Sequence, residues 1–296
     1  MSIECLIVGG GPAGLMAAIY LGRFRRRVCL VDTGASRAAL IPRSHNVPGF
    51  AHGLSGAELI ARMSSQLAEL DVARVDAEVT ALRRHRDGFR ASWRGCEHDV
   101  SSVVLACGIV DIHPPFDEWR SAVADGLLRY CPVCDAFEAI GRRIGVIGPL
   151  DHAAPKALFL RGYSQDVTLL ATECGADEVA KARLSVEAVS VVPASDLRLR
   201  RKGKRIEAVF DGELTEEFDV VYAAMGAQVR SRLAMSLDAE HTDESYLRVD
   251  DHQRTSVDGL YGIGDVVTDL HQISVAFGHA AVAACTIHNS LPRRWA

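Results

Sequence analysis

The chain is short of positive charge: Lys and Arg number 33 against 38 Asp and Glu, a net charge of −5. No overall basic field exists to hold a nucleic acid or an anionic membrane surface, which argues against both as partners. Only 10 prolines and 6% aromatics accompany 48% hydrophobic and 24% charged residues, a balance that excludes disordered and collagen-like chains. One run, residues 5 to 22, has no charge, but Gly9-Gly10-Gly11-Pro12 interrupts it as a spanning helix. Glu4 also stands where a signal peptide would be positive. Cys5, Cys29, Cys107 and Cys285 are single and set in apolar runs, the pattern of reduced core thiols in a cytoplasmic chain.

What is present is a repeated strand, turn and helix pattern. An apolar strand from Cys5 to Val8, a glycine turn, a helix to about Phe24 and a strand from Val28 to Val31 form a βαβ unit, which predicts a parallel sheet. Residues 36 to 56 read as a long loop before a helix from Gly56 to Glu69, and short strands alternate from 72 to 110. His113-Pro114-Pro115 marks an extended break. Beyond it a second βαβ pattern begins, with strands Ile144 to Ile147 and Val167 to Leu170 around a helix from Asp151 to Arg161, then hairpin-like segments to about Ala224. Two similar nucleotide-type domains, the second inserted in the first, account for this weak repeat.

The first turn, Gly9-Gly10-Gly11-Pro12-Ala13-Gly14, matches GxGxxG between a strand and a helix. Its first glycine permits the tight turn, its second lets a pyrophosphate approach the backbone, and its third lets helix and strand pack closely. Asp32, at the end of the second strand, is placed to accept hydrogen bonds from a ribose. Near the other end, Gly262-Ile263-Gly264-Asp265 also joins a strand to a helix, and Asp265 could bond a ligand hydroxyl or cap that helix. Cys131-Pro132-Val133-Cys134 puts two thiols within bridging reach beside a βαβ pattern and reads as redox-active. Zinc would want two more ligands; no second CxxC exists, and the nearest histidines are His113 and His152, so no metal is expected. Asp135, directly after the pair, is the candidate for proton traffic during exchange, or else a cap for the next turn.

In this order the motifs resemble the low-molecular-weight thioredoxin reductases, FAD-dependent pyridine nucleotide-disulfide oxidoreductases, over nearly the whole chain. The resemblance rests on GGGPAGL from Gly9, HNVPGF from His45 to Phe50, CPVCD from Cys131 to Asp135, and GIGDV followed by HQISVAFGHAA. It implies an α/β fold of two Rossmann-like, three-layer ββα nucleotide-binding domains. Residues 1–114 and 242–296 would bind FAD, and residues 115–241 would be the NAD(P)-binding-like domain carrying the cysteines. By position, Gly9, Gly11, Pro12, Ala13, Gly14 and Gly108 would line the FAD site and Asp32 would hold the adenosine ribose. Asn46 and Pro48 would lie beside the isoalloxazine, Gly264 and Asp265 at the ribitol, and Gln272 and Ile273 at the pyrimidine edge. Cys134 would face the flavin, Cys131 would attack the substrate and Asp135 would donate the proton. The partners implied are a thioredoxin-like protein or a small-molecule disulfide or dithiol, and the assembly a homodimer.

One region departs from the family. The second glycine loop reads Gly148-Pro149-Leu150-Asp151-His152-Ala153: Leu150 replaces the glycine that admits a pyrophosphate, and Pro149 removes an N–H donor. Ala171-Thr172-Glu173-Cys174 lacks the arginines that would grip a 2′-phosphate. The expectation is therefore a disulfide oxidoreductase whose donor is not NADPH, with ferredoxin as one candidate donor. Its rivals are a dithiol oxidase using O₂ and an FAD redox sensor without turnover. His271 stands where reductases carry Arg. Basic runs at Arg23 to Arg27 and Arg198 to Arg205 read as a helix-end complement and a solvated hairpin tip, with docking of an acidic electron carrier as the sharper idea for Arg200, Arg201 and Lys202.

Overall fold

The computed structural model describes residues 3–175, 177–194, 196–210 and 214–292. Its strands in chain order are β1 Ile3–Val8, β2 Val28–Asp32, β3 Val72–Asp76, β4 Ala81–His85, β5 Gly88–Trp93, β6 Cys96–Leu105, β7 Ile109–Asp111, β8 Leu128–Arg129 and β9 Ile144–Gly148. They continue with β10 Val167–Ala171, β11 Ser190–Pro193, β12 Arg198–Lys202, β13 Arg205–Phe210, β14 Leu214–Phe218, β15 Val220–Ala223, β16 Ala227–Val229 and β17 Leu260–Gly262. The helices are α1 Pro12–Arg23, α2 Gly56–Ala68, α3 Trp119–Ala124, α4 Pro132–Asp135, α5 Leu150–Arg161, α6 Glu178–Val186, α7 Arg232–Met235 and α8 Ile273–Ser290.

Two compact units result. The first comprises Met1–Ala39, Ser55–Val110 and Val229–Ala296; the second comprises Leu40–Leu54 and Asp111–Gln228.

In the first unit the sheet order is β3-β2-β1-β6-β5-β4, with β17 also paired to β6. The pairs β1·β2, β1·β6 and β6·β17 run parallel and β5 runs antiparallel to β6. Covered on both faces, β1 buries Cys5 through Val8, so it reads as one apolar run and not as an alternation. Pro12 stands in the first turn of α1, where its missing N–H costs nothing. Small residues then let α1 (Ala13, Ala17, Ala18) and α8 (Ala276, Ala280, Ala283) pack against each other. In α2 the Ser55 hydroxyl accepts from the Glu58 N–H at 3.1 Å, and Leu59, Met63 and Leu67 form one buried stripe. Arg26, expected to complement the end of α1, instead reaches α8: it is 3% exposed and donates to the His288 and Pro292 carbonyls at 2.8 Å each.

The second unit holds an all-parallel sheet, β11-β10-β9-β15-β8, and an antiparallel sheet, β12-β13-β14. Alternation along β15 separates its two faces. Val220 and Tyr222 pack with Leu150, Ala153 and Ala157 of α5, while Val221 and Ala223 pack with Leu199, Ile206 and Phe218 of the antiparallel sheet. This is the sheet, sheet, helix layering expected. Hairpin-like chain was expected from Leu170 to Ala224, but Asp177 accepts from the Val179 and Ala180 N–H groups at 3.0 Å each and starts α6 there.

Candidate functional site

The first unit gathers most of the expected cofactor residues at the carboxyl ends of its parallel strands. A Cβ on Gly9 (φ +105°) would meet the Ala106 carbonyl oxygen at 2.4 Å, and one on Gly14 would meet the Gly9 oxygen at 1.8 Å, so neither tolerates a side chain. At Gly11, which precedes α1, an added Cβ would meet only the Ser36 hydroxyl, at 3.1 Å. The turn therefore leaves its middle glycine open toward a helix start that carries no side-chain cap and no acidic residue. That is a fit for a pyrophosphate. Asp32, at the end of β2, is half-buried and accepts from the Gly34 N–H at 3.0 Å. Gly108 (φ +65°) has open space where a Cβ would stand.

The distal motif closes on the same turn. A Cβ on Gly264 would lie 2.9 Å from that of Ala13, which sets the two glycine turns side by side. Asp265 sits within a short 3-10 turn after Ile263, 3.5 Å from an Arg37 nitrogen. Gln272 and Ile273 open α8, whose first turn holds no acidic residue. Composition and spacing did not single out Arg37, Tyr246 or His279. The Tyr246 hydroxyl lies 3.2 Å from His271 Nε2, and His279 Nδ1 accepts from the Gly264 N–H at 3.3 Å. Asn46 and Pro48 lie on the exposed loop Leu40–Leu54, grouped with the second unit, where Asn46 Oδ1 accepts from the Ser44 hydroxyl at 2.8 Å.

In the second unit Cys131 and Cys134 form a disulfide with Cα atoms 5.3 Å apart. Cys131 precedes the one-turn helix α4, and the Cys134 N–H donates to its carbonyl at 3.0 Å. Asp135 does not cap the next turn. The Tyr222 hydroxyl donates to its Oδ1 at 2.9 Å, and Arg129 donates to its backbone carbonyl at 2.7 Å. Burial pushes the Asp135 carboxyl up to about 6, against the opposing pull of Arg129 and Tyr222. A carboxyl poised there can give or take a proton near neutral pH. Neither Arg129 nor Tyr222 was anticipated. The only signals were an arginine two residues before the pair and a tyrosine in an otherwise aliphatic strand.

The second glycine turn is built differently. Leu150 is 2% exposed and packed in the core, and its N–H donates to the Glu173 carbonyl at 3.0 Å. A Cβ on Gly175 would stand 2.4 Å from the Asp151 carboxylate, so segment 173–175 lies across the start of α5. Several side chains of the basic hairpin carry acidic partners. Arg200 pairs with Glu207, Lys202 lies 3.1 Å from Glu207 and 2.5 Å from Glu217, and Arg201 lies 2.6 Å from Asp125. Arg200, Arg201 and Lys202 thus each have an acidic partner in the same unit. Among the described residues no His, Cys, Asp and Glu cluster could hold a metal, and no helix is long and apolar enough to cross a membrane.

A nucleotide-type cradle on one Rossmann-like unit and a redox-type cysteine pair on another define a disulfide oxidoreductase, an enzyme acting on sulfur groups. The chain belongs to the pyridine nucleotide-disulphide oxidoreductase family, matched over residues 3–280, whose members bind FAD. It is 28% identical to the thioredoxin reductase of Treponema pallidum (strain Nichols) over 293 residues, covering 95% of this chain and 94% of that one. Among solved structures it superposes on HlmI with a TM-score of 0.88 at 26% identity, covering 97% of this chain and 92% of that one. The thioredoxin reductase from Streptococcus pyogenes MGAS5005 shares the fold with a TM-score of 0.88 at 24% identity, over 97% of each chain.

Proposed function

We propose that this protein is a thioredoxin reductase-like FAD enzyme that moves electron pairs between flavin, the Cys131–Cys134 disulfide and a protein or small-molecule disulfide, with a donor other than NADPH. FAD supplies the two-electron exchange with the cysteine pair. Gly9 and Gly14 permit the tight turn, Gly11 leaves room for its pyrophosphate, and Asp32 and Asp265 offer carboxylates to its hydroxyls. Cys131 exchanges with the partner disulfide, Cys134 faces the flavin, and Asp135 carries the proton released or consumed.

The observation that carries the donor reading is the filled start of α5. A pyrophosphate needs free backbone N–H groups and no side chain in its path. Here Pro149 has no N–H, that of Leu150 is bonded to Glu173, and Glu173 occupies the stretch where a 2′-phosphate would need arginine.

Anaerobic titration of the FAD-loaded protein with NADPH, NADH, reduced ferredoxin and dithiothreitol, watching the flavin band, tests the reading. Dithiothreitol should bleach the wild type and not Cys134→Ser, and NADPH should leave both yellow. Rapid bleaching by NADPH overturns the donor assignment. Oxygen uptake coupled to dithiol turnover would make the same site a dithiol oxidase.

A further inference from the structure

Resting on that dithiol reading, we propose that Arg129 and Tyr222 are positioning residues that hold Asp135 beside the cysteine pair as its proton store, with Glu138 opposing them. In the parallel pair β8·β15, Arg129 and Tyr222 are direct partners, so both side chains leave neighbouring strands at one level. Tyr222 is fully buried and the Arg129 side chain is 11% exposed. Both are therefore fixed by their surroundings, as a grip on a proton-carrying group requires.

The grip has several points. Arg129 Nε donates to the Gly126 carbonyl at 2.9 Å, which anchors the guanidinium. One terminal nitrogen donates to the Asp135 carbonyl at 2.7 Å and to the Tyr222 hydroxyl at 3.2 Å, and lies 3.7 Å from Asp135 Oδ1. The Tyr222 hydroxyl donates its hydrogen bond to Oδ1 at 2.9 Å. Backbone and carboxyl of the residue following Cys134 are thus held together, and the aspartate cannot turn into solvent without breaking charge-assisted bonds.

Glu138 acts in the opposite sense. Its Oε2 is buried with no hydrogen-bond partner among the described residues, and its charge disfavours a second carboxylate at Asp135. The other polar groups near this turn are Lys156 on α5, against the Tyr130 and Ala223 carbonyls at 3.5 and 3.4 Å, and His113, whose Nδ1 meets the Tyr130 hydroxyl at 2.6 Å. When a thiolate attacks one sulfur of the pair, a new S–S bond forms, the old one breaks and the second sulfur leaves as thiolate. The Asp135 proton then passes to that thiolate and leaves a carboxylate, which Arg129 and Tyr222 are placed to stabilise.

The proposal is tested on the FAD-loaded protein by two titrations against pH. The first follows the infrared band of the protonated carboxyl that is missing from Asp135→Asn; the second follows iodoacetamide alkylation of the reduced pair. Tyr222→Phe and Arg129→Gln remove groups that favour the carboxylate, so each should move the infrared midpoint upward by about one pH unit. Glu138→Gln should move it downward. Shifts of opposite sign are not produced by loosened packing, and Tyr222→Phe keeps the volume of a fully buried ring. Midpoints unmoved in these variants would overturn the clamp. An alkylation profile identical in wild type and Asp135→Asn would overturn instead the proton-carrying role on which the clamp rests.

Discussion

The two glycine turns share a skeleton and differ at one place. In each, the first glycine presses against a carbonyl at the end of a neighbouring strand: a Cβ on Gly9 would meet the Ala106 oxygen at 2.4 Å, and one on Gly148 the Ala224 oxygen at 2.2 Å. In each, the last motif residue is small and buried, Gly14 in one and Ala153 in the other. The difference is the middle position, where Gly11 is open and Leu150 is packed away. The lesson is that a βαβ unit keeps its architecture with a core residue at the middle position of its turn, because the helix start needs only some partner for its N–H groups. Glu173 is that partner in the second unit.

Substitutions at matched positions should separate the two turns, and the largest effect falls on Gly14→Ala. Its Cβ would stand 1.8 Å from the Gly9 oxygen, and only separation of α1 from β1 relieves that overlap. Loss of bound flavin and of a cooperative thermal transition is expected, whereas Ala153→Gly should keep both. Next comes Leu150→Ala, which empties a fully packed site and should cost about 2 to 4 kcal/mol in urea unfolding. If the proposed donor reading holds, NADPH should not bleach this variant either, since Pro149 and Glu173 remain; bleaching by NADPH would break the comparison. Gly11→Ala should do the reverse of Leu150→Ala. Its Cβ has room for the fold, so urea unfolding is nearly unchanged while flavin affinity, followed by fluorescence on dilution, falls about tenfold, roughly 1.4 kcal/mol.

Much of this contrast is legible in the sequence. Glycine is required where backbone meets backbone or ligand, so its presence at Gly9, Gly11 and Gly14 and its loss at Leu150 carry their own physical meaning. Strands buried on both faces, such as β1 and β9, also announce themselves as apolar runs. Helix α6 escaped because only Leu184 of its residues is buried, which leaves no apolar stripe to read. The Asp135 clamp escaped for a different reason. Arg129 and Tyr222 are 93 residues apart and become neighbours only through the register of two parallel strands, which no local pattern encodes. Arg26 was misread in the same way, since the helix end it serves belongs to α8.

The comparison extends to the carboxylates of the two units. Asp32 sits at a strand end and accepts a backbone N–H, while Asp135 is held in burial that raises its carboxyl to about 6. A raised acid favours the folded state while neutral. Its contribution is complete below the unfolded value near 3.8 and is lost as pH climbs through 6. Asp135→Asn keeps an acceptor for the Tyr222 hydroxyl and can never ionise. The substitution should therefore leave the melting temperature unchanged at about pH 4 and raise it at about pH 7.5, by an amount equivalent to about 1 to 2 kcal/mol. A gain at Asp135 that is equal at both pH values would assign the effect to packing, and would remove the titrating carboxyl from the account of this site.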